Sequence, residues 1–277
     1  MTQPDPFTVG RDQWLGRLGN LRNVVRQEMV SRQLAHHLPT PHARVLDIGA
    51  GQGTQALHLA RLGHEVTALE PDPVMRDRLA AAVDSGPFRS AGRVRVVAGR
   101  LGALPDAVAD TAYDVVLCHG VLMYLPDSAE AVAELAARVA PGGILSLLTR
   151  NASAMAWRPA IRKQWSEALT AMNEAEAAAA AGRDARYTNE IGAAARADRL
   201  DHLMSTCEAA GLSVEAWYGV RVATDGVSPA ASVPDDGDEL AAVFALEELL
   251  GRTDPYRQMA GLVHLVARRA HAEASAR

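Results

Sequence analysis

Residues 45–54 of this 277-residue chain read VLDIGAGQGT, and residues 68–73 read ALEPDP. An apolar run that breaks into alternating glycines, followed at that distance by an acid, is the pattern of a bound nucleotide-like cofactor. A dinucleotide site needs G-x-G-x-x-G, whose third glycine lets the helix pack close to the strand while the helix N-terminus holds a pyrophosphate. Here Gly49, Gly51 and Gly53 are followed by Thr54 at the sixth position. This flatter turn suits a ligand whose tail is an amino acid rather than a pyrophosphate. Glu70 ends the next apolar run and is placed for the two hydroxyls of a ribose, since a carboxylate accepts both. Taken alone, the glycines are also compatible with a simple tight turn after a strand.

The elements around these residues follow from periodicity. Trp14, Leu15, Leu18, Leu21, Val25, Met29 and Leu34 predict a leading helix over 14–38, ended by Pro39 and Pro41. Short β-branched runs at 43–48, 65–69, 93–98, 113–118 and 144–149 then alternate with amphipathic segments at 54–62, 73–84 and 128–140. That alternation predicts a mostly parallel sheet covered on both faces, with ligands at the carboxyl ends of the strands. Residues 151–211 hold no convincing strand and an alanine tract at 177–181, so they are expected to be a helical insertion on the ligand side. Strands at 212–223 and 262–269, with a helix over 238–250 between them, close a single domain. It divides into an N-terminal helical cap (1–42), a cofactor-binding core (43–150), the insertion or substrate lid (151–211) and the closing segment (212–277).

Bulk properties restrict what this domain can meet. The net charge of -5, with both signs mixed, gives no global attraction to nucleic acid or anionic lipid, so a polyanionic partner needs a local basic patch. Cys118 and Cys207 stand far apart with no His pair nearby, which indicates neither a disulfide framework nor a metal site. The first residues, MTQPDPFTVGRDQW, hold no apolar run behind a basic cluster, and no stretch reaches the length of a membrane span. A soluble, cytoplasmic protein is expected.

DIGAGQGT, ALEPDPVM, AYDVVLCHGVLMYLPD and VAPGGILSLL occur in that order, and together they resemble the class I S-adenosylmethionine-dependent methyltransferases. The resemblance implies a Rossmann-like α/β fold: a seven-stranded, mostly parallel sheet with an antiparallel last strand and helices on both faces. A narrower set, GNLRN, LCHGVL, NASAM, GVRV and ALEELLGRTDPYRQMAGLVHLVARR, is similar to the bacterial tRNA 5-carboxymethoxyuridine methyltransferases. What that implies is conversion of a side-chain carboxylate on a tRNA wobble uridine to its methyl ester. Residue by residue, it assigns Arg22 to the cofactor's carboxylate, which a guanidinium fork grips well. It assigns Gly49 and Ala50, with Asp47 and Gly51 beside them, to the methionine side; Glu70 and Pro71 to the ribose; Gly99 and Arg100 to the adenine edge; and His119 to the neighbourhood of the sulfonium. Plainer roles stay open, with Arg22 as a helix charge, His119 as a hydrogen-bonded core residue and Asp47 as a cap on the glycine turn.

The implied chemistry asks for alignment and a dry site, because the cofactor already activates the methyl group. A carboxylate acceptor is ionised at neutral pH and needs a cationic clamp rather than a base. The candidates are Arg150, Arg158, Arg186, Arg196, Arg199 and Arg221, with Tyr124 and Tyr187 as hydroxyl donors; Arg199 or Arg196 and Arg221 are preferred. A hydroxyl, amine or ring-nitrogen acceptor would instead make His119 the base. Two other functions remain in view. One is methylation of a small metabolite beneath a lid whose apolar pocket is lined by Met155, Trp157, Trp165 and Met123. The other is a non-catalytic cofactor-binding module. A nicotinamide oxidoreductase is disfavoured by the missing third glycine and by PGG before the fifth strand.

Overall fold

The computed structural model describes residues 6–85 and 93–271. The first five residues of the cap, read above for an export signal, and the last six of the closing segment lie outside the described residues. Two helices lead, α1 (Pro6–Leu15) and α2 (Leu21–Ala35), where the spacing predicts one. The break has a local cause. Gly16 and Gly19 weaken the helix, and Asn20 starts a new one by accepting a hydrogen bond from the Asn23 N–H at 2.9 Å.

The core then alternates as expected through β1 (Arg44–Ile48), α3 (Thr54–Arg61), β2 (Glu65–Glu70), α4 (Pro73–Ser85), β3 (Val94–Ala98), the single turn α5 (Asp106–Ala109), β4 (Tyr113–His119), α6 (Ala129–Ala136) and β5 (Val139–Arg150). The helix expected over 128–140 is shorter, and β5 already begins at Val139. Beyond it come α7 (Trp157–Ile161), α8 (Trp165–Ala180), β6 (Ala185–Thr188), β7 (Ala194–Ala197), α9 (Leu200–Ala209), β8 (Leu212–Val220), α10 (Gly237–Arg252) and β9 (Leu262–Arg269).

Seven strands form one sheet in the order β3-β2-β1-β4-β5-β9-β8. The first five run parallel, and β9 is antiparallel to both β5 and β8. Period-two alternation sorts the side chains between two cores. Leu46, Ile48, Val116 and Cys118 pack with Leu135 of α6 and Leu203 of α9. Val45, Val115 and Leu117 pack with Leu59 of α3 and Leu79 of α4. A third cluster joins Val25 and Met29 of α2 to Leu148 of β5 and Phe244 of α10. A fully buried side chain of the size of Met29 stabilises by ~1.5–3 kcal/mol, so α2 is fastened to the sheet and can position groups over its ligand end.

The insertion corrects one expectation. Residues 151–211 contain the two-stranded antiparallel hairpin β6–β7, with Ala185 opposite Ala197 and Thr188 opposite Ala194. Its four-residue strands, ARYT and AARA, lack the β-branched run that marks a strand. Tertiary contacts supply what propensity does not: the Asp198 N–H donates to the Arg150 carbonyl at 2.9 Å, and the Ala152 N–H to the Asp198 carbonyl at 3.0 Å. The hairpin is thereby docked beside the end of β5. The expected apolar lid lining is also different. Met155 is buried against Ala178 and Ala185, whereas Trp157 and Trp165 are 42% and 65% exposed. No helix of the described residues is long and apolar enough to cross a membrane, and no described group of His, Cys, Asp or Glu is arranged to hold a metal.

Candidate active site

A cavity of about 530 Å³ opens at the carboxyl ends of β1, β2 and β4, between the glycine loop, α2 and the insertion. The glycines of the loop are required by its backbone. Gly49 and Gly51 have φ of +70° and +59°, where L side chains are strained, and a Cβ on Gly49 would stand 2.3 Å from Val121 Cγ2. Glu70 fastens the loop: its carboxylate accepts from the Gly51 N–H at 2.8 Å and from the Asp72 N–H at 2.9 Å. Asp47, Ala50, Pro71 and Arg100 also line the cavity. Gly99 does not. It packs beneath Leu69 and Pro105, where a Cβ would meet carbons at 2.7 and 2.8 Å, so its smallness serves the packing behind the wall.

Asp47 is buried at the loop's base, and desolvation first, then the Glu70 charge, push its carboxyl up to about 7. A raised folded-state value favours folding below the ordinary carboxylate range, and that contribution disappears as pH climbs through about 7. The thermal midpoint of Asp47→Asn is therefore expected to rise relative to wild type between pH 4 and 7 and to run parallel above it. Scanning calorimetry across that range checks this, and parallel midpoints throughout would place Asp47 in an ordinary solvated setting.

His119, on the cavity wall at the end of β4, belongs to a buried relay. Its Nε2 lies 2.8 Å from Ser146 Oγ, which lies 2.8 Å from Nε2 of His264, whose Nδ1 is 2.8 Å from Oε1 of Gln33. The Gln33 amide donates to the Gly219 carbonyl, which orients its oxygen toward His264. His264 then donates through Nδ1 and accepts the Ser146 hydroxyl proton, and Ser146 accepts from His119 Nε2–H. That order leaves His119 Nδ1 as a bare acceptor, and it has no partner among the described residues. Burial, with the nearby Arg26 charge, pushes His119 down to about 3, so it stays neutral and is a weak base.

Arginine dominates the other end of the cavity. Asp225, in the turn after β8, receives a two-pronged contact from Arg158 at 2.8 and 2.9 Å, and lies 3.2 Å from Arg150, 3.1 Å from Arg221 and 3.6 Å from Arg22. Glu190, in the β6–β7 turn, pairs with Arg22 at 2.9 Å, Arg158 at 3.0 Å and Arg162 at 2.8 Å. Five guanidiniums thus share two carboxylates among the described residues. Burial works to raise Asp225, and the charges of Arg221, Arg150 and Arg158 outweigh it and hold the carboxyl well below its usual range. Burial likewise opposes Glu190, yet Arg158 and Arg22 bring it down to about 2. For Arg221, whose φ is +62°, burial and the neighbouring arginines push the guanidinium down to about 9.

Of the arginines picked out in the sequence, Arg22, Arg150, Arg158 and Arg221 meet here, with Tyr124 and Tyr187 on the same wall. Arg199 and Arg196 do not line the cavity. Arg199 stands at the start of α9 and pairs with Asp201, while Arg196 is buried in a structural network with Asp184 and Asp198. Strand β7 ends before Arg199 and turns Arg196 away from the cavity, a placement that only the unforeseen hairpin dictates. Sequence reasoning passed over Asp225, Glu190 and Arg26. Asp225 lies four residues beyond Arg221, and Arg26 one helical turn beyond Arg22, so both could have been found by spacing; Glu190 carries no such signal.

Residues 46–147 match the family described as a methyltransferase domain. That stretch of the chain is similar to a methyltransferase domain, and the sheet around it has the fold of the class I methyltransferases. Curated proteins similar to this chain include a ubiquinone biosynthesis O-methyltransferase of Xanthomonas campestris, 30% identical over 167 residues, which are 58% of this chain and 65% of the relative. They also include the tRNA 5-carboxymethoxyuridine methyltransferase of Escherichia coli, 30% identical over 140 residues, which are 48% of this chain and 50% of the relative. The chain spans about half to two thirds of the length of these relatives. Among solved structures, the magnesium protoporphyrin IX methyltransferase of Synechocystis, with bound S-adenosylhomocysteine, superposes with a TM-score of 0.61 at 16% identity, covering 96% of this chain and 97% of that one. At that identity the likeness is one of fold. It extends the methyltransferase architecture beyond the matched core to the closing strands and the insertion.

Proposed function

We propose that this protein is an S-adenosylmethionine-dependent methyltransferase whose acceptor is a carboxylate. The observation that carries the acceptor class is the box of arginines, where five guanidiniums face two carboxylates at one end of the cavity. Its surplus positive charge, out of water, favours an anion. The state of His119 points the same way. An acceptor that must lose a proton needs a base, and a histidine pushed down to about 3 is a poor one, whereas a carboxylate arrives ionised.

The residues present fit the cofactor. The positive-φ glycines leave room beside the loop, where a Cβ on Gly51 would meet nothing closer than Met75 Cε at 3.5 Å. Glu70 holds the loop by accepting from the Gly51 and Asp72 N–H groups, and a carboxylate is the acceptor that a pair of ribose hydroxyls calls for. When bound, the cofactor supplies an electrophilic methyl group on a sulfonium. This chain's own residues do the rest: Gly49 to Gly51 and Glu70 fix the donor, the arginine box orients and desolvates the acceptor, and burial beside the Arg26 charge keeps His119 neutral.

In its finer form the reading is methylation of 5-carboxymethoxyuridine in tRNA, supported by the Escherichia coli relative and by the GNLRN and GVRV segments. A second reading, a small free acid, is favoured by the outer face of the insertion. That face exposes Trp165, Leu169 and Met172 rather than the basic stripe a tRNA would ask for. Nucleoside mass spectrometry of tRNA from cells with and without the protein decides between them. Loss of the wobble methyl ester is the expected result; an unchanged ester profile, with methyl transfer to small carboxylic acids by the purified protein, would select the second reading.

A further inference from the structure

Five guanidiniums and two carboxylates, those of Asp225 and Glu190, leave the arginine box with a surplus of three positive charges among the described residues. The surplus is largely out of water, since Arg22, Arg150 and Arg221 are buried, and all three line the cavity. Nor does the backbone absorb it. Arg150 and Arg162 each donate to two backbone carbonyls, whereas Arg22 and Arg221 each hold a buried Nε with no hydrogen-bond partner among the described residues. A buried excess of this kind is costly until an anion enters, and an anion that later loses its charge restores the cost.

The box also lies away from the donor's end. The glycine loop and Glu70 stand at the ends of β1 and β2, whereas Arg150 ends β5 and Arg221 follows β8. In the order β1-β4-β5-β9-β8, β5 is two strand spacings from β1, about 10 Å, and β8 is two further on. Methyl transfer to a carboxylate forms an O–CH3 bond as the S–C bond breaks, the electron pair goes to sulfur, and no proton moves. The attacking oxygen must offer a free lone pair along that line, and its charge vanishes in the ester. A carboxylate gripped by guanidiniums has its lone pairs occupied, and esterifying it there would leave buried arginines without their anion. An anion that stays charged through the reaction meets neither obstacle.

We propose that the acceptor carries two anionic groups: a non-reacting oxyanion that the arginine box holds throughout, and the carboxylate that is methylated nearer the glycine loop. The assignment rests on the methyltransferase reading above and narrows its acceptor to a molecule with a second acidic group. That group is a second carboxylate on a free acid or the phosphate of a nucleotide, since both present the paired oxygens that a guanidinium fork receives. A diacid then ends as its half ester, which has a group left to fill the box and none left to react.

The test is methyl transfer by the full chain to matched pairs of acceptors that differ by one acidic group, with ester formation read by mass spectrometry. Succinate, glutarate, adipate, pimelate and suberate are each paired with their monomethyl esters, and 5-carboxymethoxyuridine 5′-monophosphate with its nucleoside. The doubly acidic member of at least one pair is expected to exceed its partner about 30-fold or more in kcat/KM, and the diacids to stop at the half ester. Preference within the diacid pairs identifies the retained group as a carboxylate, and within the nucleotide pair as a phosphate. In Arg221→Met the preference is expected to fall to within about 3-fold, while S-adenosylhomocysteine binds as in wild type and so shows that the variant is folded. Should Arg221→Met not fold, Arg221→Gln takes its place. The assignment is overturned if both members of every pair react alike, if the diester accumulates, or if no doubly acidic acceptor reacts although S-adenosylhomocysteine binds. A wild-type protein that does not bind S-adenosylhomocysteine removes the methyltransferase reading itself, and this assignment with it.

Discussion

Asp225→Asn is expected to destabilise the protein by about 3–5 kcal/mol, the range for removing one partner of a buried ion pair. The reason is the imbalance around it. Arg150 and Arg221 have Asp225 as their ion-pair partner among the described residues, while Arg22 and Arg158 keep Glu190. Asparagine is nearly the same size and retains one acceptor, so the loss comes from charge rather than from a cavity. Space is tight there, since a Cβ on Gly261 would stand 2.1 Å from Asp225 Oδ1. Denaturant unfolding at neutral pH measures the effect; a loss below ~1 kcal/mol would mean that water already screens the cluster. Linkage adds a second signature. A carboxyl held well below its usual range contributes stability that is present above that range and lost as pH falls through its lowered value. Wild type should lose that increment on acidification, and the variant has none to lose.

Arg221→Met is expected to act in the opposite sense on stability while impairing turnover of an acidic acceptor. Arg221 is a non-glycine residue at φ +62°, its Nε is buried without a partner, and burial beside other arginines pushes its guanidinium down to about 9. Removing that charge relieves repulsion with Arg22 and Arg158, and Asp225 retains three other arginines. The thermal midpoint should hold or rise. Catalysis should suffer, because a buried group that pairs with the acceptor's charge is worth about 2 kcal/mol or more, a loss of ~30-fold or greater in kcat/KM. The loss should fall mainly on KM for the acceptor, with S-adenosylhomocysteine affinity unchanged. Wild-type acceptor binding should weaken as pH rises through about 9, where Arg221 sheds its proton. A variant that turns over the acceptor normally would exclude Arg221 from the clamp.

The two predictions mark the boundary between what spacing conveys and what packing decides. Local patterns were sufficient for the sheet. Period-two runs and amphipathic segments predict β1 to β5 and the helices α3, α4 and α6 between them, because each half-buried element must show one apolar face wherever it ends up. They failed where strands were short and tertiary contacts supplied the order, as in the four-residue β6 and β7. The consequence reached the site. Without the hairpin, Arg196 and Arg199 look as well placed as Arg150 and Arg158, and Glu190 has no reason to be noticed.

From its sequence alone this protein shows the end of the cavity proposed for the donor: glycines where the backbone must take positive φ, and an acid one strand later where Glu70 ties the loop. Those features are local in the chain, so a linear reading recovers them. The end proposed for the acceptor was assembled only by the tertiary structure. Its arginines come from α2, β5, α7 and its C-terminal end, and the turn after β8, and the carboxylates that arrange them from that same turn and the β6–β7 turn. Charges scattered over two hundred residues acquire a common role only when folding removes the water between them and makes each one's protonation depend on the others.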